Sequence, residues 1–285
     1  MRRKNAFRWV SLPLAATLIL VLTGCSSYEF SRGFLPGEPG VTNHTDMIVN
    51  FWNGSWIVLW AVGLVAWGLM FYAVIVYRRR KGDNTMPEQM RYNNPIEALF
   101  TVVPLVMVIG FFAFTADTME KIERPVDSEM HIQVIGKQWS WDFNYVDENT
   151  FDSGIQAQFT GTEENVFETL PTLYLPVNKS VQIDLSSRDV IHSFWVIDFL
   201  YKKDTFPGKT NYMYFTPQRE GTYKGKCAEL CGEYHSMMLF NVKVVSRAEF
   251  DAQMAALAAK GNTGQLDSSY DRNQNLPGNG SEGKG

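Results

Sequence analysis

Two cysteines, a histidine and two methionines stand within one short stretch, Cys227-Ala228-Glu229-Leu230-Cys231-Gly232-Glu233-Tyr234-His235-Ser236-Met237-Met238. Thiolate and thioether are soft ligands and imidazole is borderline, so the mixture suits copper better than calcium or magnesium. A further imidazole stands upstream, in Asp189-Val190-Ile191-His192-Ser193-Phe194. A mononuclear blue-copper site uses one cysteine, two histidines and a weak axial methionine. Here there are two cysteines. Two bridging thiolates could hold two copper ions, with one histidine on each. Such a pair shares its electron, so its geometry changes little on reduction, which suits electron transfer.

Three other chemistries compete on spacing alone. The cysteines could form a disulfide in an exported domain. They could hold structural zinc, which wants four nitrogen or sulfur ligands in a closed tetrahedron. They could be a thiol redox pair. Met238 weighs against zinc, because thioether is a copper ligand. In a helix, positions 227, 231 and 235 would share a face, but Gly225, Gly232 and the strand-like flanks favour a loop.

The elements that must position this loop come next. The chain has 285 residues and a net charge of -4, too little to imply nucleic acid as a partner. Met1-Arg2-Arg3-Lys4, an apolar run at about 12–22 and then Leu22-Thr23-Gly24-Cys25 make an export signal whose end is similar to a bacterial lipobox. That similarity implies cleavage before Cys25, leaving a signal peptide of residues 1–24 and a lipid on the Cys25 sulfur. Residues 25–50 are polar with Gly and Pro and are expected to be an exported linker. Positions 56–77 carry no charge, long enough to cross a bilayer. Arg78-Arg79-Arg80-Lys81 follows, and such a cluster favours the cytoplasmic side. A second uncharged run covers 98–116 with Pro104 inside, which membrane helices tolerate. The expectation is a transmembrane helix hairpin over 51–118, its ends on the exported side. Glu97, at the start of the second helix, reads either as a snorkelling end residue or as part of an ion path.

From 119 to 246 short β-rich segments are separated by Pro and Gly turns, which argues a β-sandwich. Val181-Gln182-Ile183-Asp184-Leu185 alternates as a half-buried strand does, and 239–245 is another strand candidate. Trp139, Trp141, Phe143 and Tyr145 are two apart and are expected on one strand face. The segment 146–172 carries Asp147, Glu148, Asp152, Glu163, Glu164 and Glu168 with no Lys or Arg. It is either a solvated loop or an acidic surface that steers a basic partner. Residues 247–260, rich in Ala, suggest a short helix, and the tail to 285 has little to bury.

Cys-Ala-Glu-Leu-Cys-Gly-x-x-His-x-x-Met, preceded by Asp-Val-Ile-His-Ser-Phe, resembles the dinuclear copper motif of cytochrome c oxidase subunit II. The likeness extends to Leu175-Pro176-Val177-Asn178-Lys179, Phe206-Pro207-Gly208-Lys209-Thr210-Asn211, Phe215-Thr216-Pro217 and Glu220-Gly221-Thr222-Tyr223. It covers about 50–245, and the lipobox and hairpin look most like the actinobacterial form. The resemblance implies a mainly β chain: a cupredoxin-like Greek-key β-sandwich preceded by a two-helix transmembrane hairpin, in a bacterial plasma membrane with the copper domain outside. It implies copper ligands His192, Cys227, Cys231, His235 and Met238, with the Glu229 carbonyl as the sixth. The Glu229 side chain matches a position that reaches magnesium at the boundary with subunit I. Glu97 matches a glutamate at the entrance of a proton path, and Trp139 the residue at which the electron arrives.

The role so implied is electron acceptance in an aa3-type oxidase. Cytochrome c, free or tethered to the membrane, including one in a supercomplex with a cytochrome bc complex, reduces the copper pair, which reduces haem in subunit I. Dioxygen reduction and proton translocation occur there. One departure stands out: Lys137 occupies a position where the family commonly has His. Quinol-oxidising relatives usually lack the copper ligands, all of which are present here. A copper chaperone would leave the hairpin, His235 and Met238 unexplained, and a membrane-anchored structural sandwich closed by a disulfide would leave His192, His235 and Met238 unexplained.

Overall fold

The structure, a computed structural model, describes residue 17 and residues 26–82, 86, 89–157 and 169–267. Cys25, Glu163, Glu164, Glu168 and the tail beyond 267 lie outside the described residues. The chain divides into two units, residues 1–35 with 49–84, and residues 36–48 with 85–285.

In the first unit α1 (Ser27–Ser31) is closed by a capping box between Ser26 and Glu29. Trp52 Nε1–H donates to the Gly33 carbonyl and Asn53 Nδ2–H to the Ser31 carbonyl. Both donors belong to α2 (Thr45–Val76), an apolar helix long enough to cross a membrane. In the second unit α3 (Asn94–Glu123) meets the same test. Asn93 caps it, its side chain accepting from Ile96 N–H, and Glu97 Oε1 accepts from Asn93 N–H at 2.8 Å. Glu97 thus helps close the helix end.

The rest of the second unit is the expected β-sandwich. One sheet has the order β3 (Thr150–Ser153), β2 (Ser140–Tyr145), β1 (Met130–Lys137), β5 (Val181–Ser187), β8 (Asn211–Phe215). The other has the order β4 (Thr172–Pro176), β10 (Leu239–Val245), β9 (Gly221–Cys227), β6 (His192–Val196), β7 (Tyr201–Thr205). β1 with β5 and β10 with β4 are parallel, and the other pairs are antiparallel. Alternation explains the core between the sheets: Met130, Ile132 and Val134 face in from β1, Val181, Ile183 and Leu185 from β5, and Phe240, Val242 and Val244 from β10. Helix α4 (Arg247–Ala259), capped by Ser246, adds Phe250, Met254 and Leu257 to that core.

Three findings differ from the sequence expectations. Residues 41–45 are not plain linker. Val41 and Thr45 are fully buried, Gln218 N–H donates to the Val41 carbonyl, and Thr216 N–H donates to Asn43 Oδ1. Their polar groups bind backbone rather than water. Next, the acidic segment 146–172 is not one loop. Asp147 accepts from His131 N–H in the β2–β3 turn, and Asp152 sits within β3, paired with Phe143. Finally, Trp139 leaves the aromatic stripe. Trp141, Phe143 and Tyr145 are fully buried on β2, whereas Trp139 lies half-buried in the turn before that strand.

Candidate metal centre

β9 ends at Cys227 and β10 begins at Leu239, so all the chain from 227 to 238 except its first residue is the connection between two neighbouring strands. Its base is clamped, because Cys227 N–H donates to the Met238 carbonyl at 2.9 Å. Ala228 N–H donates to the Ser193 carbonyl at 3.0 Å, which ties the loop to β6, where His192 is the first residue. Gly232 turns the loop at φ 126°, a left-handed backbone that favours glycine, and a Cβ there would lie 3.2 Å from the Trp139 ring. A 3-10 turn, His235–Met237, then carries the chain back to β10.

The donor atoms converge. Cys227 Sγ lies 3.9 Å from Cys231 Sγ and 3.9 Å from His192 Nδ1. Cys231 Sγ lies 3.5 Å from His235 Nδ1 and 3.8 Å from Met238 Sδ. The Glu229 carbonyl accepts from the Cys227 thiol at 3.2 Å. Ligand atoms of His192, Cys227 and Cys231 all fall within 4.8 Å of one another. The two thiols therefore sit in the middle, with one imidazole on each. Both cysteines are free and buried, and 3.9 Å is nearly twice the length of a disulfide bond.

The fully buried His192 ring is fixed from behind. Its Nε2–H donates to Asp189 Oδ1 at 2.8 Å, which leaves the Nδ1 lone pair facing the thiols. Asp189 also accepts from Gln138 N–H and Val190 N–H. Burial alone would raise the Asp189 pKa, but His192 and those two amides outweigh it and hold the carboxyl below its ordinary range. For His192 burial opposes the charged ring, while Asp189 and Cys227 outweigh burial and raise its pKa. The Cys231 thiol beside Cys227 lowers the pKa of Cys227, against burial and with help from His192. The hydrogen bond to Cys227, burial and the thiolate's charge then push Cys231 up. Without a cation between them the pair holds one proton, and a cation is what would let both ionise.

Each sequence-proposed ligand reaches this cluster: His192, Cys227, Cys231, His235, Met238 and the Glu229 carbonyl. Glu229 is exposed, and with Ile191, Pro207, Leu230 and Cys231 it lines a hollow beside the cluster. Trp139 lies at the same end of the sandwich, its ring 4.9 Å from Tyr234 and edge-on to it. Glu97, at the start of α3, is not part of the cluster.

Sequence reasoning passed over three supports. Asp189 was legible as Asp-x-x-His. Gln138 donates from Nε2 to the Cys231 carbonyl at 2.6 Å and had no pattern to mark it. Gly136 gives room to the imidazole, since a Cβ there would lie 2.8 Å from His192 Cδ2.

The chain is similar to known proteins. The family model for cytochrome C oxidase subunit II, periplasmic domain, matches residues 130–245. The chain is 41% identical over 282 residues to a probable cytochrome c oxidase subunit 2 of Streptomyces avermitilis, covering 89% of this chain and 88% of that protein. It is 30% identical over 260 residues to cytochrome c oxidase subunit 2 of Corynebacterium glutamicum, covering 74% and 72%. Among solved structures, the periplasmic domain of subunit II of the Bradyrhizobium japonicum cytochrome oxidase aligns at 29% identity with a TM-score of 0.44, covering 47% of this chain and 97% of that one. Similarity of this degree to the Streptomyces protein, over nearly the whole of both chains, establishes that this chain belongs to the cytochrome c oxidase subunit II family.

Proposed function

We propose that the chain is the electron-accepting subunit of an aa3-type oxidase, reduced by cytochrome c at a dinuclear copper centre and reducing haem in subunit I, where dioxygen becomes water with proton translocation. The observation that carries this reading is the pair of unbonded thiols 3.9 Å apart with an imidazole on each. That arrangement fits two cations bridged by two thiolates. One zinc ion would need four of these donors in a tetrahedron and would leave the thioether without a purpose. Bound there, a copper pair supplies one-electron chemistry at soft and borderline donors.

The chain's own residues prepare that chemistry. His192, Cys227, Cys231, His235, Met238 and the Glu229 carbonyl hold the metal. Asp189 orients His192, and the sandwich behind the loop keeps the donors fixed, so little has to move when the charge changes. Trp139 stands half-exposed beside Tyr234 and is the point at which the donor's electron arrives. The exposed Ile191 and Leu230 beside Glu229 suit a covered contact with subunit I, where the Glu229 carboxylate would reach magnesium. α2 and α3 both cross the membrane, with Arg78-Arg79-Arg80-Lys81 inside, Glu97 at the entrance of a proton path and Cys25 carrying lipid.

The test is electron paramagnetic resonance with copper counting on the full chain in its purified oxidase complex. Hyperfine structure from two equivalent coppers sharing one unpaired electron is expected. A single-copper signal in this subunit, or zinc with none, would overturn the reading.

A further inference from the structure

Next to the donor cluster lies a buried ionic group that the proposed function does not use. Lys137 closes β1, Asp142 stands on β2 and Arg188 follows β5. They are 4%, 1% and 1% exposed. Lys137 Nζ lies 2.6 Å from Asp142 Oδ1, and Arg188 Nε and Nη2 both donate to Asp142 Oδ2 at 3.2 Å. Ser153 Oγ donates to Asp142 and accepts from Lys137. One carboxylate thus faces two cations. Arg188 Nη1 is buried with no hydrogen-bond partner among the described residues. The next carboxyl, Asp152 on β3, is pushed towards its neutral form, first by burial and then by the Asp142 charge, with a Thr172 amide and the nearby lysines opposing. A buried ionic cluster is costly, and a sandwich core gains nothing from it that hydrophobic residues would not give.

The group touches the support of His192 in two places. Arg188 N–H donates to the carbonyl of Gly136, the residue on which the His192 ring rests. Asp189, the next residue, holds the His192 Nε2–H. Trp141, the neighbour of Asp142, has its ring centre 6.1 Å from that of His192.

We infer that the buried charges of Lys137, Asp142 and Arg188 tune the reduction potential of the metal pair, the two cations raising it and the carboxylate lowering it. The inference rests on the copper reading above. Gaining an electron makes the metal site one unit more negative, and a fixed cation favours that state. With an effective dielectric of about 20, one such buried unit charge is worth on the order of tenfold in the electron's equilibrium. Lys137 and Arg188 act here through space and position nothing that reacts.

The experiment is a redox titration of the mixed-valence copper signal in the intact oxidase complex. Lys137→Met lowers the midpoint by about 59 mV, the one-electron equivalent of tenfold. Asp142→Asn moves it the opposite way, and Lys137→Arg stays near the native value. Ser153→Asp, which adds a negative charge beside Lys137 at an exposed position while keeping the other side chains, also lowers it and serves where Lys137→Met fails to assemble. Shifts of one sign in both Lys137→Met and Asp142→Asn mean loosened packing and overturn the inference. An unmoved midpoint with an intact dinuclear signal overturns it alone. A native complex without that signal overturns the copper reading as well.

Discussion

His192 illustrates how much of a metal centre is set by residues that are not ligands. Asp189 determines which nitrogen faces the thiols, so Asp189→Asn is expected to lower copper retention about 10- to 100-fold, as loss of such outer partners does. Chelator competition followed by copper counting would measure it. Gly136→Ala brings a methyl group against the imidazole. It should cost about 1–3 kcal/mol by overpacking, read as a lower thermal midpoint of the metal-free full chain. The proposed ligands were visible in the sequence because copper chemistry needs sulfur and imidazole together. The Gly136 contact was not, because nothing in the sequence says which backbone a ring will rest on. Asp142 illustrates the same limit. Its partners Lys137, at the end of β1, and Arg188, just after β5, are far apart in sequence, and only the sheet order makes one cluster of them.

At the scale of elements, the turn between β1 and β2 separates two tryptophans that spacing had placed together. Trp141 packs its ring edge-on to Phe194 and Phe240, and its Nε1–H reaches the Met238 carbonyl. Trp141→Ala is expected to cost about 3–5 kcal/mol and to loosen the donor loop. Trp139→Ala should cost less stability than Trp141→Ala, because Trp139 is only half-buried, yet slow reduction by cytochrome c. Stopped-flow reduction beside thermal unfolding separates the two; equal loss of stability in both variants would argue against different roles. Alternation was enough to find β5 and β10, whose inward residues are uniformly apolar. It misplaced Trp139 because period two continues through a tight turn on paper, while the backbone there has already left the strand.

The whole molecule is a membrane protein with an extracytoplasmic domain, and the residues before α2 matter to that domain's stability. Burial keeps His44 from taking up a proton and lowers its pKa from the ordinary 6.5, although the Tyr214 carbonyl and Glu123 pull the other way. The unfolded chain therefore binds that proton more readily. His44's contribution is intact above about pH 6.5 and is lost as pH falls through its lower folded value. The thermal midpoint of the native chain should drop more between pH 7.5 and 5.5 than that of His44→Gln, and parallel curves would refute this. Composition and hydropathy revealed the two apolar helices and the sheet-rich remainder, but not that residues 41–45 pack into the sheets, because their polarity reads as solvent exposure. The hydrogen bond between the first and last donor residues, Cys227 and Met238, carries a broader consequence. A segment pinned together at its two ends, on adjacent strands, is a cassette. Its interior can lengthen, shorten or be exchanged with that of another sandwich while every strand keeps its register, so new metal chemistry can be acquired by loop replacement alone.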